Sequence, residues 1–184
     1  MRRQLVRAAA FAVALFGIAA AGLPTENVVQ PSQARLDEGQ AIVRKIRRYE
    51  RATWGWQRLM GVRRTPTRRL YLRTRDLDYR LHVLAQWRRR AIHARHRVHN
   101  PPHERAWRCL QSYEGAWTDS GDPYWGGLQM DRSFMSAHAP HHLLRRGWAD
   151  RWSAVEQMWV GERALRAGRG FYPWPNAARI CGLI

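Results

Sequence analysis

Hydrophobic positions recur through the middle of the chain with a helical period. Ile42, Ile46, Tyr49, Thr53, Trp56 and Met60 follow one another at alternating spacings of four and three residues. This apolar stripe, with one polar member, predicts an amphipathic helix. Beyond Gly61 a stretch rich in Arg and Thr, with Pro66, reads as a turn. A second stripe, Leu70, Leu77, Leu84, Ala91 and Val98, repeats every seven residues, with Leu81 at one intermediate position and Arg88 and Arg95 at the others. Two stripes joined by a turn predict an antiparallel helical hairpin over residues 41–100. Asn100-Pro101-Pro102 ends it, because a residue before proline avoids the helical region. Upstream, residues 22–40 are polar and aperiodic and read as a linker.

After residue 100 the pattern changes. Pro101-Pro102 suits the opening of a helix. Trp107, Leu110 and then Tyr113 or Glu114 would form its inward face, with Gly115 ending it. Asp119, Gly121, Asp122 and Pro123 mark a tight turn. Ser133–His138 reads as a short helix and residues 139–147 as a loop. Ser153-Ala-Val-Glu156 is a capping box that opens a helix with Val155, Met158, Trp159, Ala164 and Leu165 inward, ending at Gly168.

At the N-terminus, basic residues of Met1–Arg7 precede an uncharged, Ala-rich run from Ala8 to Leu23 that contains Ala19-Ala20-Ala21. This reads as a secretory signal peptide over residues 1–21, the alternative being an uncleaved membrane anchor. Either way the rest of the chain is expected to be secreted or associated with a cell wall. An exported chain whose only cysteines are Cys109 and Cys181 suggests one disulfide.

Charge is distributed unevenly. The net charge of +18 arises almost entirely between Ala41 and Arg108, where 20 basic residues face 4 acidic ones; from Cys109 onward 8 basic residues face 7 acidic ones. Such a segment is either a solvated helix surface or an attachment site for a polyanion. For an exported protein the available polyanions are anionic wall polymers and anionic lipid. Nucleic acid would suit the charge but not the compartment. His93, His96, His99 and His103 read as surface residues. Zinc-type ligand spacing is absent, so no metal is expected.

The densest chemistry lies in Cys109-Leu-Gln-Ser-Tyr-Glu114-Gly-Ala-Trp117, followed by Gly126-Gly-Leu-Gln-Met130. An acid at a helix C-terminus has its carboxylate disfavoured by the helix dipole and by apolar neighbours, which suits a general acid. A tryptophan next to it suits stacking on a sugar. With Glu156-Gln157 and with Trp174-Pro175 ahead of Cys181, these motifs resemble the lysozyme-like transglycosylase domain of the resuscitation-promoting factors. That family places its acid directly after the cysteine, where this chain has Leu110. The correspondence is therefore made on Glu114 and its following Gly and Trp.

The resemblance covers about residues 104–184. It implies a mainly α, lysozyme-like domain with a short β-hairpin over residues 101–184, behind the basic helical hairpin. Glu114 would be the single catalytic residue, and Trp117, Tyr124, Gly127 and Gln129 would bind substrate. The two glycines would let backbone approach the sugar, and Gln129 would hydrogen-bond an N-acetyl or hydroxyl group. Glu156 would be a structural cap. Trp125 is either core or cleft, and so are the aromatics of Phe171–Trp174. The implied activity is cleavage of peptidoglycan glycan strands by a monomer without a cofactor, as a muramidase or a lytic transglycosylase. The alternative is a non-catalytic wall-glycan-binding module on the same fold.

Overall fold

A computed structural model describes residues 31–184. The signal segment and residues 22–30 of the linker lie outside the described residues. Seven α-helices follow in order: α1 (Pro31–Met60), α2 (Leu77–His99), α3 (Glu104–Glu114), α4 (Arg132–His138), α5 (His141–Leu144), α6 (Ala154–Arg166) and α7 (Pro175–Ile180). Strands β1 (Ser120–Gly121) and β2 (Tyr124–Trp125) form a two-stranded antiparallel hairpin between α3 and α4, pairing Ser120 with Trp125 and Gly121 with Tyr124. The chain is therefore mainly helical with one short β-hairpin, as expected. Among the described residues, no helix is long and apolar enough to cross a membrane.

The helical pair differs from expectation in three ways. First, α1 starts at Pro31, inside the expected linker. Its opening turns are tied by a hydrogen bond from Gln33 Nε2 to Asp37 Oδ1 (3.2 Å), and Gly39 is packed so closely on α2 that a Cβ there would lie 3.3 Å from the Leu77 side chain.

Second, α1 and α2 run parallel, not antiparallel. Gly39 meets the first turn of α2, Trp54 stands edge-on to Trp87 at 5.8 Å, and Leu59 and Met60 share a core cluster with Ala94 and Val98. The connecting segment 61–76 returns along the length of α1. Thr65 accepts from Trp54 Nε1 (2.9 Å) and donates its N–H to Gln57 Oε1 (2.9 Å). Further back along α1, the hydroxyls of Thr67 (2.6 Å) and Tyr71 (2.8 Å) donate to the buried Glu50 carboxylate. Burial, and then this carboxylate, push the Tyr71 hydroxyl up to about 12.

Third, α2 starts at Leu77, with Asp76 as its N-cap accepting from the Tyr79 N–H. The face it buries is Val83, Trp87, Ala91, Ala94 and Val98, while Leu70 and Leu81 of the expected stripe are exposed. Apolar stripes read the same for either relative direction of two helices. What decides here is that sixteen residues, 61–76, separate them, enough to span α1 in extended form.

Residues 104–184 build a second core around α6, which is buried on nearly every side. Trp107 and Leu110 of α3 are fully buried, and the Trp107 ring lies on Gly161, where a Cβ would approach it to 2.7 Å. The buried Glu162 carboxylate fixes α3 by accepting from Trp107 Nε1 (2.9 Å) and the His103 N–H (2.9 Å). Cys109 of α3 is bonded to Cys181 at the C-cap of α7, with Cα atoms 6.1 Å apart. Closing a loop of this length contributes about 4 kcal/mol in the chain-entropy model.

This core does not stop at residue 101. It also takes in Leu59 and Met60 from α1 and Ala94 and Val98 from α2. Trp159 Nε1 donates to the Val98 carbonyl (2.7 Å), Arg163 Nη1 to the Arg58 carbonyl (3.5 Å) and Arg166 to the Met60 carbonyl. Both guanidinium groups thus sit at the negative end of the α1 dipole. The expected boundary between hairpin and domain cuts through one core.

Burying Leu59, Met60 and Val98 contributes on the order of 5 kcal/mol, much of the stability of a small domain. A fragment 101–184 is therefore expected to melt far below the full chain, or to be unfolded, by circular dichroism. Equal melting temperatures would show that the two parts fold independently.

Candidate functional site

The site starts at the C-terminus of α3. Trp107 and Leu110 anchor the inner face of that helix, which leaves Glu114 half-buried on its last turn and Tyr113 exposed. Burial pushes the Glu114 carboxyl above the ordinary carboxylate range. The negative end of the α3 dipole acts in the same direction. Gly115 has φ 166°, an extended conformation, so it does not end the helix with the left-handed turn typical of a glycine cap. It is needed for another reason: a Cβ there would lie 2.8 Å from Asp119 Oδ2 and 2.9 Å from Gln129 Nε2.

The turn after Glu114 is held at successive carbonyls. Gln111 Nε2 donates to the Gly115 carbonyl (2.8 Å) and the Asp119 N–H to that of Ala116 (2.9 Å). Gln157 Nε2 donates to the Trp117 carbonyl (2.7 Å). Gln157 is fully buried on α6 and also reaches the carbonyls of Ala149 (2.8 Å) and Trp152 (3.1 Å).

Trp117, Gly127 and Gln129 are brought together beside this turn. The Trp117 ring lies over Gly127, where a Cβ would approach the ring to 2.8 Å. Gly127 and Gly126 are both buried, and Gly126 has φ +73° with its α-carbon against the Gln157 side-chain oxygen. The expected role of the glycine pair is thereby corrected: it admits the Trp117 ring and the Gln157 amide to the backbone, not a sugar. Gln129, at φ 44°, donates from Nε2 to Asp119 Oδ2 (3.0 Å) and to the Gly126 carbonyl (3.0 Å). Its Oε1 is the atom that can accept from a ligand N–H or O–H.

From Gln129 a cleft of about 660 Å³ opens between the hairpin, α4 and the loop before α7. Half-exposed Tyr124 forms one wall and Pro173 with Trp174 the other. Asp131 and Arg169 supply opposite charges within it. The backbone N–H of Phe134, first among several donors, holds the Asp131 carboxyl low, whereas burial and the nearby Arg169 and Arg163 hold the His138 imidazole low. Glu114 is not among the lining residues. Trp125 and Trp174 resolve as core: Trp125 packs near Trp148 at 5.8 Å, and Trp174 donates from Nε1 to the Leu128 carbonyl (2.5 Å) while packing against Trp107 and Phe134. Tyr172 is exposed.

The sequence points to Asp119 only as a turn residue and to Gln157 only within the Glu156-Gln157 motif, and it gives Gln111 and Arg169 no role. Gln157 has a signal there, as a lone amide inside the apolar run Val155–Val160. Glu156 is the expected cap, completing the capping box with Ser153 and pairing with Arg146 at 2.6 Å. No family model, curated protein or solved structure matches the chain.

Two outcomes follow from this geometry. Gly126→Ala forces a side chain into a left-handed backbone position and against Gln157, and is expected to cost about 2–4 kcal/mol in chemical denaturation; a cost under 1 kcal/mol would mean the loop repacks freely. A carboxyl held above its unfolded value binds more protons in the folded state, so its contribution to stability falls as pH rises from the ordinary carboxylate range through the raised value. Stability of the wild type relative to Glu114→Gln should fall across that window; parallel curves would remove the burial effect.

Proposed function

We propose that the chain is an exported peptidoglycan-cleaving enzyme, a muramidase or lytic transglycosylase, with Glu114 as its single acid–base residue. The observation that carries this reading is a half-buried carboxyl, biased towards its protonated form, on the last turn of α3 beside a turn held at three carbonyls. Trp117 lies in the turn that follows it, with its ring over Gly127, and Gln129 stands between that turn and the cleft. The basic helical pair would attach the enzyme to anionic wall polymers.

In the first step the Glu114 carboxyl donates its proton to the glycosidic oxygen as the bond from that oxygen to C1 breaks. The carbonyl oxygen of the substrate's own 2-acetamido group forms a bond to C1 and takes up the developing positive charge, so no second carboxylate is required. In the second step the Glu114 carboxylate accepts a proton. If it comes from water, the water oxygen bonds to C1, the acetamido oxygen leaves and the product is hydrolysed. If it comes from the C6 hydroxyl, that oxygen closes a 1,6-anhydro ring. One residue thus acts as acid and then as base, which needs a carboxyl neither fully ionised nor fully protonated near neutral pH. Burial shifts Glu114 in the direction this requires.

One observation favours the alternative of a binding module: Glu114 does not line the 660 Å³ cleft. Glu114→Gln separates the two. It keeps the side-chain shape but has no carboxyl proton to give, so glycan cleavage in a dye-release assay should fall at least ~10²-fold while thermal stability and wall binding persist. Wild-type activity in the variant would put the acid elsewhere. A wild-type protein that binds walls and never releases dye would establish the module.

A further inference from the structure

The basic charge of the helical pair is densest along the second half of α1 and the segment that follows it. Ten basic residues and one acid lie between Arg44 and Arg69, whereas residues 31–43 and 70–80 together hold four of each sign; residues 81–99 of α2 add five arginines and no acid. The one acid, Glu50, is buried, and its oxygens are taken by the Thr67 and Tyr71 hydroxyls rather than by a guanidinium. It therefore fixes the returning segment onto α1 without pairing with any arginine in that stretch. Nine of the ten basic residues are arginine.

Where the returning segment crosses α1 there is a concavity of about 240 Å³ lined by Arg47, Arg51, Arg69, Trp54 and Tyr71 above Glu50. Arg47 and Arg51 stand one turn apart on α1, and Arg69 faces them from the segment. None of the three has a carboxylate partner within 4.0 Å among the described residues. The cationic surface continues in both directions, to exposed Arg44 and Arg48 on one side and to Arg58 on the other, with Arg64 stacked 4.1 Å over the Trp54 ring. Along the helix axis, Arg44 to Arg58 spans about 20 Å.

We propose that this groove binds a linear phosphodiester polymer without bases, one phosphate seated between Arg47, Arg51 and Arg69 and its neighbours on the flanking arginines. Three guanidinium forks approach the concavity from two chain segments. A tetrahedral phosphate accepts hydrogen bonds from such different directions, whereas a carboxylate accepts chiefly in one plane. The length of the stripe suits a chain rather than a single ion. The inference deepens the wall-attachment part of the proposed function and rests on it for the source of the polymer. The binding itself does not depend on glycan cleavage.

Titration of the full chain with long-chain inorganic polyphosphate tests it. Arg47→Ala/Arg51→Ala/Arg69→Ala should weaken binding about 10²-fold and lower the salt dependence of log K by about two, since each arginine acts on about one phosphate. A control triple with the same charge loss, Arg88→Ala/Arg89→Ala/Arg97→Ala on the exposed face of α2, should weaken it less than about 5-fold. Equal losses for the two triples would overturn the site in favour of bulk charge. If the alanine triple melts early, Arg47→Lys/Arg51→Lys/Arg69→Lys retains the charge without the forks and should still bind more weakly than wild type; wild-type affinity would overturn the proposal. Polyglutamate of matched charge should bind less tightly than polyphosphate, and tighter binding overturns the phosphate preference. Single-stranded DNA of matched charge binding more tightly than polyphosphate would overturn the base-free polymer. Dye release from short soluble glycans should be unchanged in the groove triple, so a failure of this site is distinguishable from a failure of Glu114.

Discussion

The side-chain amide of Gln157 has two hydrogens and three backbone carbonyls within reach, those of Trp117, Ala149 and Trp152. It is fully buried, where an unmatched carbonyl is costly, and it ties the Trp117 turn to the segment that carries Ala149 and Trp152. The Trp117 turn is thereby held against α6, and Gly126 must be a glycine because the same amide occupies the space of its Cβ. The Trp117 ring can then settle over Gly127. The surroundings of Glu114 thus follow from one glutamine on the central helix rather than from the loop's own propensity. Glu162, one and a half turns further along α6, does the equivalent for the start of α3 through Trp107 and His103.

α6 also organises the attachment of the helical pair. Because α1 and α2 are parallel, both direct their C-terminal ends, with their unpaired carbonyls and negative dipole ends, at the same helix. α6 meets them with the indole of Trp159 and the guanidinium groups of Arg163 and Arg166. An antiparallel hairpin would present one end of each sign there, and two arginines would be poorly placed. The direction of the pair, its docking and its arginine-lined groove share one cause: a segment long enough to return along α1, held there by Glu50.

What could be read in the sequence was what depends on local periodicity and local chemistry. The Ile42–Met60 stripe, the Ser153–Glu156 capping box, the Asp119–Pro123 turn and the end of α3 at Glu114 are each set within a few residues, whereas the short hairpin came with the resemblance. The Cys109–Cys181 bond needed only the count of cysteines and the expectation of export. What could not be read depends on distant partners. Nothing local distinguishes parallel from antiparallel helices, and polar residues 31–40 form helix because α2 packs on Gly39. Leu70 yields the buried position to Tyr71, whose hydroxyl reaches Glu50 across α1. The glycine pair was read as open to a ligand because small residues admit any close neighbour, and the neighbours are Trp117 and Gln157.

At the site itself, a half-buried acid, a tryptophan in the adjoining turn and a nearby cleft support the proposal of glycan cleavage, while the separation of Glu114 from the cleft walls leaves binding without cleavage as the competing outcome. Mass spectrometry of the soluble products after incubating purified glycan strands with the full chain distinguishes them most directly. A single-acid enzyme must release shorter strands ending in either a new reducing sugar or a 1,6-anhydro sugar, and the ends identify which acceptor gave its proton to Glu114. Strands that co-sediment with the protein yet keep their original length and ends would contradict catalysis by Glu114.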